Sequence, residues 1–424
     1  MSIALPIEIN YKKSLPTLPG GCQTYEQYLQ PVNGPTFSCA TAGTTVAWDL
    51  PCRSNSFLVP NSMYIRYKGT VTSTAAASML GTPVYTPIQK CETIFGSQVV
   101  ESINNYNQAM NMMTQLSMTV ADKYGYQNSY GWYDNGGALL PGVGDGRYCA
   151  TNDSNMYAAP LFNILSNSTQ FVPLGLMQNV RVQLTLDSIA NMFDSVASVT
   201  GYTISNFELC FTVIDMGEQV NAIVKGDGEK FYIKSQSIAS SSSSIPVGTT
   251  GNIELVYSQR LASIKSLFLA STAANAVNKN FDCLDITNSG SYSFTIAGKQ
   301  YPPKPIDCAG NKTGAYMELK KAVGSISNNN TSFSINTVEF GRTGNNANAT
   351  TVLEPGKFIV GVNTELLPQS RNVLLTGTST QNSPVTARLF INTATTNLST
   401  PTLFCLYDAL IEIDPILKNA TVKQ

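Results

Sequence analysis

Apolar and polar residues alternate with a period of two in many short segments of this 424-residue chain, and this pattern limits its fold more than any other feature. In Val180–Leu186, valines and leucines at even positions alternate with Arg181, Gln183 and Thr185. The same strand pattern recurs at 63–68, 208–213, 292–296, 358–362, 373–375, 387–391 and 404–413. The last segment is almost continuously apolar, which predicts a strand buried on both faces.

Helical patterns are few and short. Repeats of three and four through Ile103, Tyr106, Met110, Met113 and Leu116 predict an amphipathic helix over 101–118. A second helix is predicted over Thr313–Val323 with Thr313 as its cap, and a weaker third over Met216–Val224. Many short strands with Gly, Pro and Asn turns and little helix predict β-sandwiches, with the jelly roll among the candidates.

The composition predicts two similar halves behind an N-terminal arm. Proline-rich residues 1–34 are expected to form an extended arm, followed by a first sandwich over 35–224 and a second over 225–424. Lys225–Gly228 has the composition of a hinge between the halves. The Gly- and Tyr-rich segment 121–158 lacks periodicity, so we expect a long surface excursion there. Its aromatic residues are expected to pack on themselves or on a neighbour: Tyr124, Tyr126, Tyr130, Trp132 and Tyr133.

The arm also carries alternating apolar residues, which a simple spacer would not need. They are Ile3, Leu5, Ile7, Ile9 and Tyr11. Such a segment could pair with the sheet edge of a neighbouring molecule or lie against the inner face of a shell. Alternatively, the arm returns to its own sandwich as an edge strand.

Charge and chemistry argue against catalysis. The chain has no histidine, which excludes Ser–His–Asp triads, Cys–His pairs and His-ligated zinc. Charged residues make up only 12% and the net charge is −1, so neither nucleic acid nor an anionic membrane is an obvious partner. Gly142–Gly146 lacks the strand and helix that flank a dinucleotide loop, and Asn311 replaces the glycine that a phosphate loop needs. We therefore predict no catalytic, cofactor-binding or metal site, and no cofactor.

The cysteines and the hydropathy pattern bear on the compartment. Nine cysteines with wide spacing and no Cys-x-x-Cys pair predict buried free thiols in a reducing compartment. The first residues lack the unbroken apolar stretch of a signal peptide, and no 18-residue apolar run predicts a membrane span. We therefore expect a soluble protein that is not exported.

An ordered set of segments carries a family resemblance. In the first half these are VPNSMYIRY at 59–67 and IFGSQVVESINNYN at 94–107. In the second half they are RLASIKSLFLA at 260–270, YPPKPI at 301–306, AYMELKKA at 315–322, GKFIVGVN at 356–363 and LFCLYDALIEID at 403–414. In this order the segments resemble the double-jelly-roll major capsid proteins of polinton-like viruses and adintoviruses, distant relatives of adenovirus hexon. The resemblance covers about 55–424, interrupted by 121–158.

The resemblance implies an all-β fold of two tandem eight-stranded jelly-roll sandwiches with a few short helices, a double jelly roll. It also implies a non-enzymatic major capsid protein of an icosahedral DNA virus, in which homotrimers act as pseudo-hexameric capsomers. The implied partners are other copies of the chain, neighbouring capsomers, and penton and minor capsid proteins, without sequence-specific nucleic acid binding. The implied location is the virion, assembled inside the host cell.

Proteins of other classes share parts of this pattern. A secreted or surface jelly-roll adhesin or lectin is also β-rich and weakly charged, but it should have a signal peptide and usually paired cysteines. A glycosidase on a β-scaffold needs two carboxylates in an aromatic cleft, and nothing in the sequence marks such a pair. The two-sandwich length argues against a penton-type or minor virion protein.

Overall fold

The computed structural model describes most of the chain in several stretches. The described residues are 21–132, 146–193, 198–226, 228–273, 289–308, 312–324, 335, 337, 340, 346–348, 352–354, 358–366, 375–392, 394–395 and 399–424. Parts of five segments discussed above lie outside them. These are the predicted arm, the 121–158 excursion, the 373–375 strand, and the glycine-containing segments 142–146 and 310–313.

The first half contains thirteen of the described strands and five of the helices. In chain order they are β1 Gln23–Leu29, β2 Thr36–Ser38, β3 Thr45–Asp49, β4 Ser56–Leu58, β5 Tyr64–Ser73, β6 Ala77–Leu80, β7 Ile88–Phe95, β8 Gln98–Asn104, α1 Tyr106–Ser117, α2 Val120–Gly125, α3 Gln127–Tyr130, β9 Gly146–Cys149, β10 Ser154–Pro160, β11 Val172–Pro173, β12 Val180–Leu186, α4 Ile189–Met192, β13 Val199–Asp215 and α5 Gly217–Lys225.

The second half adds eleven described strands and one helix. These are β14 Phe231–Ser242, β15 Gly251–Tyr257, β16 Ile264–Ala273, β17 Ser289–Ile296, β18 Lys299–Asp307, α6 Thr313–Val323, β19 Asn346–Asn348, β20 Val352–Glu354, β21 Val360–Asn363, β22 Val385–Ile391, β23 Ser399–Asp414 and β24 Asn419–Lys423.

The same strand order occurs twice. In the first half, one sheet runs β10-β5-β13 with β1 and β2 on the far side of β13, and the facing sheet runs β3-β12-β7-β8. In the second half, the corresponding sheets run β21-β16-β23-β14 and β15-β22-β17-β18. Each pair of sheets is a jelly roll. The predicted double jelly roll is confirmed, and we call the two sandwiches roll 1 and roll 2.

One long strand near the end of each half is the centre of each roll. The 17-residue β13 pairs antiparallel with β1 and β5, and the 16-residue β23 pairs antiparallel with β14 and β16. The longest helix of each half directly follows an edge strand of the four-stranded sheet: α1 follows β8, and α6 follows β18. The two helices therefore lie at equivalent points of the two rolls. This repeat explains why each half of the sequence has one conspicuous helical pattern.

The helix predictions hold with corrected starts. The first helix begins at Tyr106, and Ile103 lies in β8, because the strand pairing with β7 continues to Asn104. The second helix spans Thr313–Val323 as predicted, but Lys312 is the N-cap residue and no side chain caps the helix. The third helix is Gly217–Lys225, one residue later than predicted.

In the described part of 121–158 most residues are exposed or partly exposed, as expected of a surface excursion, and a few aromatic side chains pack inside it. Trp132 and Tyr130 are buried, with ring centroids 4.8 Å apart, and Tyr130 stacks on Tyr126 at 5.5 Å. Lys123 is also buried, and its Nζ donates to Gln115 Oε1 at 2.6 Å. After the helices the chain forms β9 and then β10, an edge strand of the first sheet. Aromatic packing stabilises this segment without strand periodicity.

The end of the predicted arm also differs from the main expectation. Gln23–Leu29 forms β1, which pairs with β13 from Gln23↔Asp215 to Leu29↔Leu209. This part of 1–34 is therefore an edge strand of the molecule's own sandwich, the alternative that the sequence left open. Residues 1–20, with the alternating apolar set, lie outside the described residues.

The core lies between the two sheets of each roll. Leu209 and Phe211 of the predicted strand 208–213, and Phe404 and Ile411 of the predicted strand 404–413, are all buried. Leu406 is only partly buried, although it lies in the same strand. The nearly continuous burial along 403–413 follows from the central position of β23 between β14 and β16.

Replacing Phe404 by alanine tests this placement. Phe404→Ala removes a ring that is 1% exposed, so we expect the free energy of unfolding to fall by about 3–5 kcal/mol in a denaturant titration. Leu417→Ala is the matched control, since Leu417 is 67% exposed and should change stability by less than about 0.5 kcal/mol. Equal small effects of both variants would contradict the strand placement.

Candidate assembly interface

The contact between the two rolls contains buried polar side chains that join distant segments of the chain. Glu101, in β8 of roll 1, is 2% exposed and accepts hydrogen bonds from Thr93 Oγ1 at 2.7 Å and from the backbone N–H of Ile164 at 2.9 Å. The Ser237 hydroxyl, in β14 of roll 2, donates to its other oxygen. One carboxylate therefore links both rolls.

Burial raises the pKa of Glu101 above its ordinary value, because a charged carboxylate loses hydration there. The three hydrogen-bond donors act in the opposite direction and stabilise the charged form. The site thus resembles a satisfied buried polar network, which favours one geometry of its members.

Backbone groups along β14 complete the contact. The Thr169 N–H donates to Lys234 O at 2.8 Å, and Asn167 Nδ2 donates to Gln236 O at 3.2 Å. These bonds satisfy carbonyls on the side of β14 that has no neighbouring strand among the described residues. Residues 164–169 of roll 1 therefore cover this edge of roll 2.

Side-chain hydroxyls and amides of β14 extend the junction in both directions. Ser235 Oγ donates to Ile164 O at 2.5 Å, and Ser240 Oγ donates to Asn104 O at 2.6 Å. Asn105 Nδ2 donates to Ser242 Oγ at 3.2 Å. Because these contacts span β14 from Lys234 to Ser242, the two rolls are held in one relative orientation.

A second buried carboxylate stabilises roll 2 next to the junction. Asp408, in β23, is fully buried and accepts hydrogen bonds from Ser263 Oγ and from the N–H of Thr376, both at 3.1 Å. Lys234 Nζ lies 3.5 Å from Asp408 Oδ1. The same lysine supplies the carbonyl that Thr169 contacts, so this network connects the core of roll 2 to the junction.

The surface carries two further features suited to contacts with other molecules. Tyr25 and Tyr28 of β1 are 43% and 48% exposed, and Tyr25 borders a cleft of about 530 Å³ that Arg53 and Asp215 also line. A second groove of about 380 Å³ crosses the β15–β22–β17–β18 sheet and is lined mainly by polar side chains and Phe390. Both features combine aromatic and polar side chains with one acidic residue and one arginine, Asp215 and Arg53 in the first and Glu254 and Arg388 in the second. Aromatic residues and arginine are enriched in protein–protein contacts.

The thiols have little capacity for chemistry. The eight cysteines within the described residues are all free, and burial raises the pKa of the Cys39 thiol to about 12 and that of Cys405 further. Raised pKa values keep these groups in the unreactive thiol form.

In the described part of the chain, no three His, Cys, Asp or Glu side chains come together as a metal ligand set. No described helix is long and apolar enough to cross a membrane.

Glu101 is a junction residue that the sequence patterns above do not single out. One signal was available: in the alternation of β8, Glu101 shares a face with the buried Ile103. A carboxylate on an apolar face needs hydrogen-bond donors from elsewhere in the fold. Ser237 and Ile164 supply them from positions 136 and 63 residues away, which local patterns do not reveal.

Solved viral capsid proteins have a similar fold. The chain is similar to the PBCV-1 virus capsid protein with a TM-score of 0.61, 12% identity and coverage of 98% of this chain and 99% of that one. The Faustovirus major capsid protein matches with a TM-score of 0.62 and 8% identity, over 96% of this chain and 92% of that one. The mavirus major capsid protein matches with a TM-score of 0.51 and 10% identity, over 100% of this chain and 95% of that one. No protein-family model and no curated protein matches the sequence significantly. At these identities the similarity establishes the fold.

Glu101→Ala tests the importance of the junction. The substitution leaves the N–H of Ile164 without its acceptor, so we expect the free energy of unfolding to fall by about 1–3 kcal/mol. Glu254→Ala is a suitable control, because the Glu254 side chain is 57% exposed and pairs only at the surface with Arg388. A loss no larger than that of the control would contradict a structural role for Glu101.

The pH dependence of this effect has a defined sign. A carboxyl with a raised pKa in the folded chain contributes most to stability at acidic pH, and the contribution decreases as pH rises through the folded-state pKa. The difference in unfolding free energy between wild type and Glu101→Ala should therefore be larger near about pH 4 than near about pH 8. The difference between Glu101→Gln and Glu101→Ala should not change with pH, because neither variant titrates at this position. If the difference in unfolding free energy between wild type and Glu101→Ala grows as pH rises, the raised pKa of Glu101 is contradicted.

Proposed function

We propose that this chain is the major capsid protein of an icosahedral DNA virus and forms pseudo-hexameric homotrimers that tile the virion shell. The observation that carries the proposal is the repeated strand order of two complete jelly rolls in one chain. Similarity to PBCV-1 and Faustovirus capsid proteins over nearly the whole length of each chain supports it. Two like rolls per chain give six lobes in a trimer, the shape that fills a hexagonal lattice.

The surface chemistry agrees with a self-assembling protein. With 12% charged residues and a net charge of −1, copies of the chain can approach without strong long-range repulsion. Exposed Tyr, Ser, Thr, Asn and Gln side chains can supply the hydrogen bonds of an interface rim. Neighbouring capsomers, penton and minor capsid proteins would be the further partners, and the virion the location.

We propose no enzymatic activity and no cofactor. The chain has no histidine, and the buried cysteines have raised pKa values. The buried carboxylates Glu101 and Asp408 are engaged with hydroxyl and N–H donors of the fold. A structural role accounts for each of these groups.

We also propose that the chain divides between residues 224 and 225 into roll 1 and roll 2. The sheets of roll 1 use strands up to Asp215, and those of roll 2 use strands from Phe231 onward. The short helix α5 and the Lys225–Gly228 segment connect them. Of the predicted arm 1–34, we retain residues 1–20 as the segment that acts in lattice contacts.

An adhesin or lectin is the less favoured alternative. Its jelly roll would present a ligand site on one sandwich, and it would not need a second roll fixed rigidly to the first. The buried polar junction through Glu101 and Ser237 favours a building block of defined shape.

The oligomeric state is the first test. Native mass spectrometry of the purified chain should give a species three times the chain mass of 45.6 kDa, because each chain alone would leave the flanks of both rolls exposed. Electron microscopy of co-expressed or reassembled material should reveal hexagonally arranged capsomers. A stable monomer at micromolar concentration would contradict the proposal.

Deleting residues 2–20 tests the arm. If this segment serves lattice contacts, the trimer should melt as the wild type does, while the yield of particles falls. A matched control replaces Ile3, Leu5, Ile7 and Ile9 by serine and keeps the length of the segment. A large drop in the melting temperature of the trimer would instead assign the segment to the subunit's own core.

A further inference from the structure

The groove of about 380 Å³ on roll 2 lies on the outer face of the β15–β22–β17–β18 sheet. Along β22, Arg388 and Phe390 are exposed on this face, whereas Ala387, Leu389 and Ile391 are buried in the core. The volume lies within the range of small-molecule sites. None of the lining residues makes a contact of the roll junction, so the junction does not account for the groove.

An irregularity in β18 gives this sheet face a wall. Between the pairs Phe294↔Tyr301 and Tyr292↔Ile306, four residues of β18 stand opposite one residue of β17. Extra residues in one strand of an antiparallel pair form a bulge, which bends the strand locally. Pro305, one of these four residues, lines the groove. The bulge therefore borders a face that would otherwise be open and regular.

Charged and polar side chains line the groove next to one another. Arg388 Nε lies 2.9 Å from Glu254 Oε1 across the β15–β22 pair, and the two side chains are 53% and 57% exposed. The pair therefore presents N–H donors and carboxylate acceptors to solvent. Gln300 also lines the groove, and its Nε2 has no hydrogen-bond partner in the part of the chain that the structure describes. The groove thus offers both donors and acceptors to a ligand.

An aromatic ring lies beside this ion pair. Phe390 is 40% exposed and follows Arg388 by two residues in β22, so the two side chains share one face of the sheet. A Cβ added at Gly290 would lie 2.8 Å from the Phe390 ring and 2.6 Å from the Asn392 amide. Glycine at this position therefore leaves the space that the ring and the amide occupy.

We propose that this groove is a binding site for neutral pyranose sugars. A pyranose has an apolar face of C–H groups and a rim of hydroxyls, each of which can donate and accept hydrogen bonds. With the apolar face stacked on Phe390, the hydroxyls would lie beside the Arg388 guanidinium and the Glu254 carboxylate. This activity goes beyond the proposed capsid role and does not depend on it.

The geometry disfavours other classes of ligand. β22 and β17 each pair with a strand on both sides, so an extended peptide cannot add to them as a further strand. Arg388 and Glu254 carry opposite charges, so an ionic ligand gains no net attraction from the pair. A wholly apolar ligand would take both charges out of water without replacing their hydrogen bonds, which is unfavourable.

Sugar binding by the purified full chain tests the proposal. The probes are the methyl glycosides of glucose, galactose, mannose and N-acetylglucosamine, followed by saturation-transfer-difference NMR at millimolar concentration. An array of immobilised neutral oligosaccharides is the second format, because several copies of a weak site can then bind at once. At least one neutral probe should bind, and a methyl sialoside, which is anionic, should bind no better.

Substitutions locate the bound sugar. Phe390→Ala removes the stacking surface and Arg388→Ala removes the donors, so each should weaken binding by about 10-fold or more, whereas Phe390→Tyr should retain it. Arg181→Ala is the matched control. Arg181 forms an exposed pair with Asp49 at 2.7 Å on the equivalent sheet of roll 1, and its loss should leave sugar binding unchanged. Circular dichroism checks that all variants fold.

The outcomes separate this inference from the proposed function. Binding of a neutral probe that is lost in Phe390→Ala and Arg388→Ala but kept in Arg181→Ala supports the inference. Binding of no neutral probe, binding of the sialoside alone, or equal binding by all variants overturns it. Impaired trimer or particle formation in the groove variants, without sugar binding by the wild type, would assign the groove to a protein contact and also overturn it. Failure of sugar binding by a trimer leaves the capsid proposal standing, whereas sugar binding by a stable monomer supports the site and contradicts the trimer.

Discussion

The hydrogen bonds that cover the open edge of β14 are the interaction on which the shape of the molecule depends. A sheet edge presents backbone groups that need partners, and in roll 2 residues 164–169 of roll 1 supply them. Glu101 adds a buried acceptor that reaches Ser237 across the same contact. These contacts hold the two sandwiches in one relative orientation.

Hydroxyl and amide side chains, which are abundant in this weakly charged chain, make contacts at the junction and are also available on the surface. At the junction, serine and asparagine side chains make short, directional bonds to backbone carbonyls, as Ser235 does to Ile164. On the surface, the same residue types with tyrosine offer contacts that need no strong electrostatic attraction. A chain with 12% charged residues can use this chemistry in both places.

Individual elements differ in how well local patterns predict them. Two elements have the predicted limits, the strand Val180–Leu186 and the helix Thr313–Val323. A half-buried strand and an amphipathic helix each produce a regular spacing of apolar residues, which is visible in the sequence. In the segment 121–158, Tyr130 and Trp132 are buried by packing on one another and not through a regular period, so periodicity alone does not identify its buried residues. Ile103 was assigned to the wrong element because the end of a strand depends on pairing with its neighbour, here β7.

The sequence by itself determined the fold class, the two-part organisation and the absence of histidine chemistry, because alternation, turn residues and composition are local properties of the chain. The tertiary structure decided which edges are covered and which are open. Glu101, Ile164 and Ser237 meet only after both rolls have folded, and Tyr25 and Tyr28 of β1 are exposed while Ser235 and Ser237 of β14 are buried. Contacts between residues far apart in sequence depend on the closed geometry of the sheets, which a local pattern does not encode.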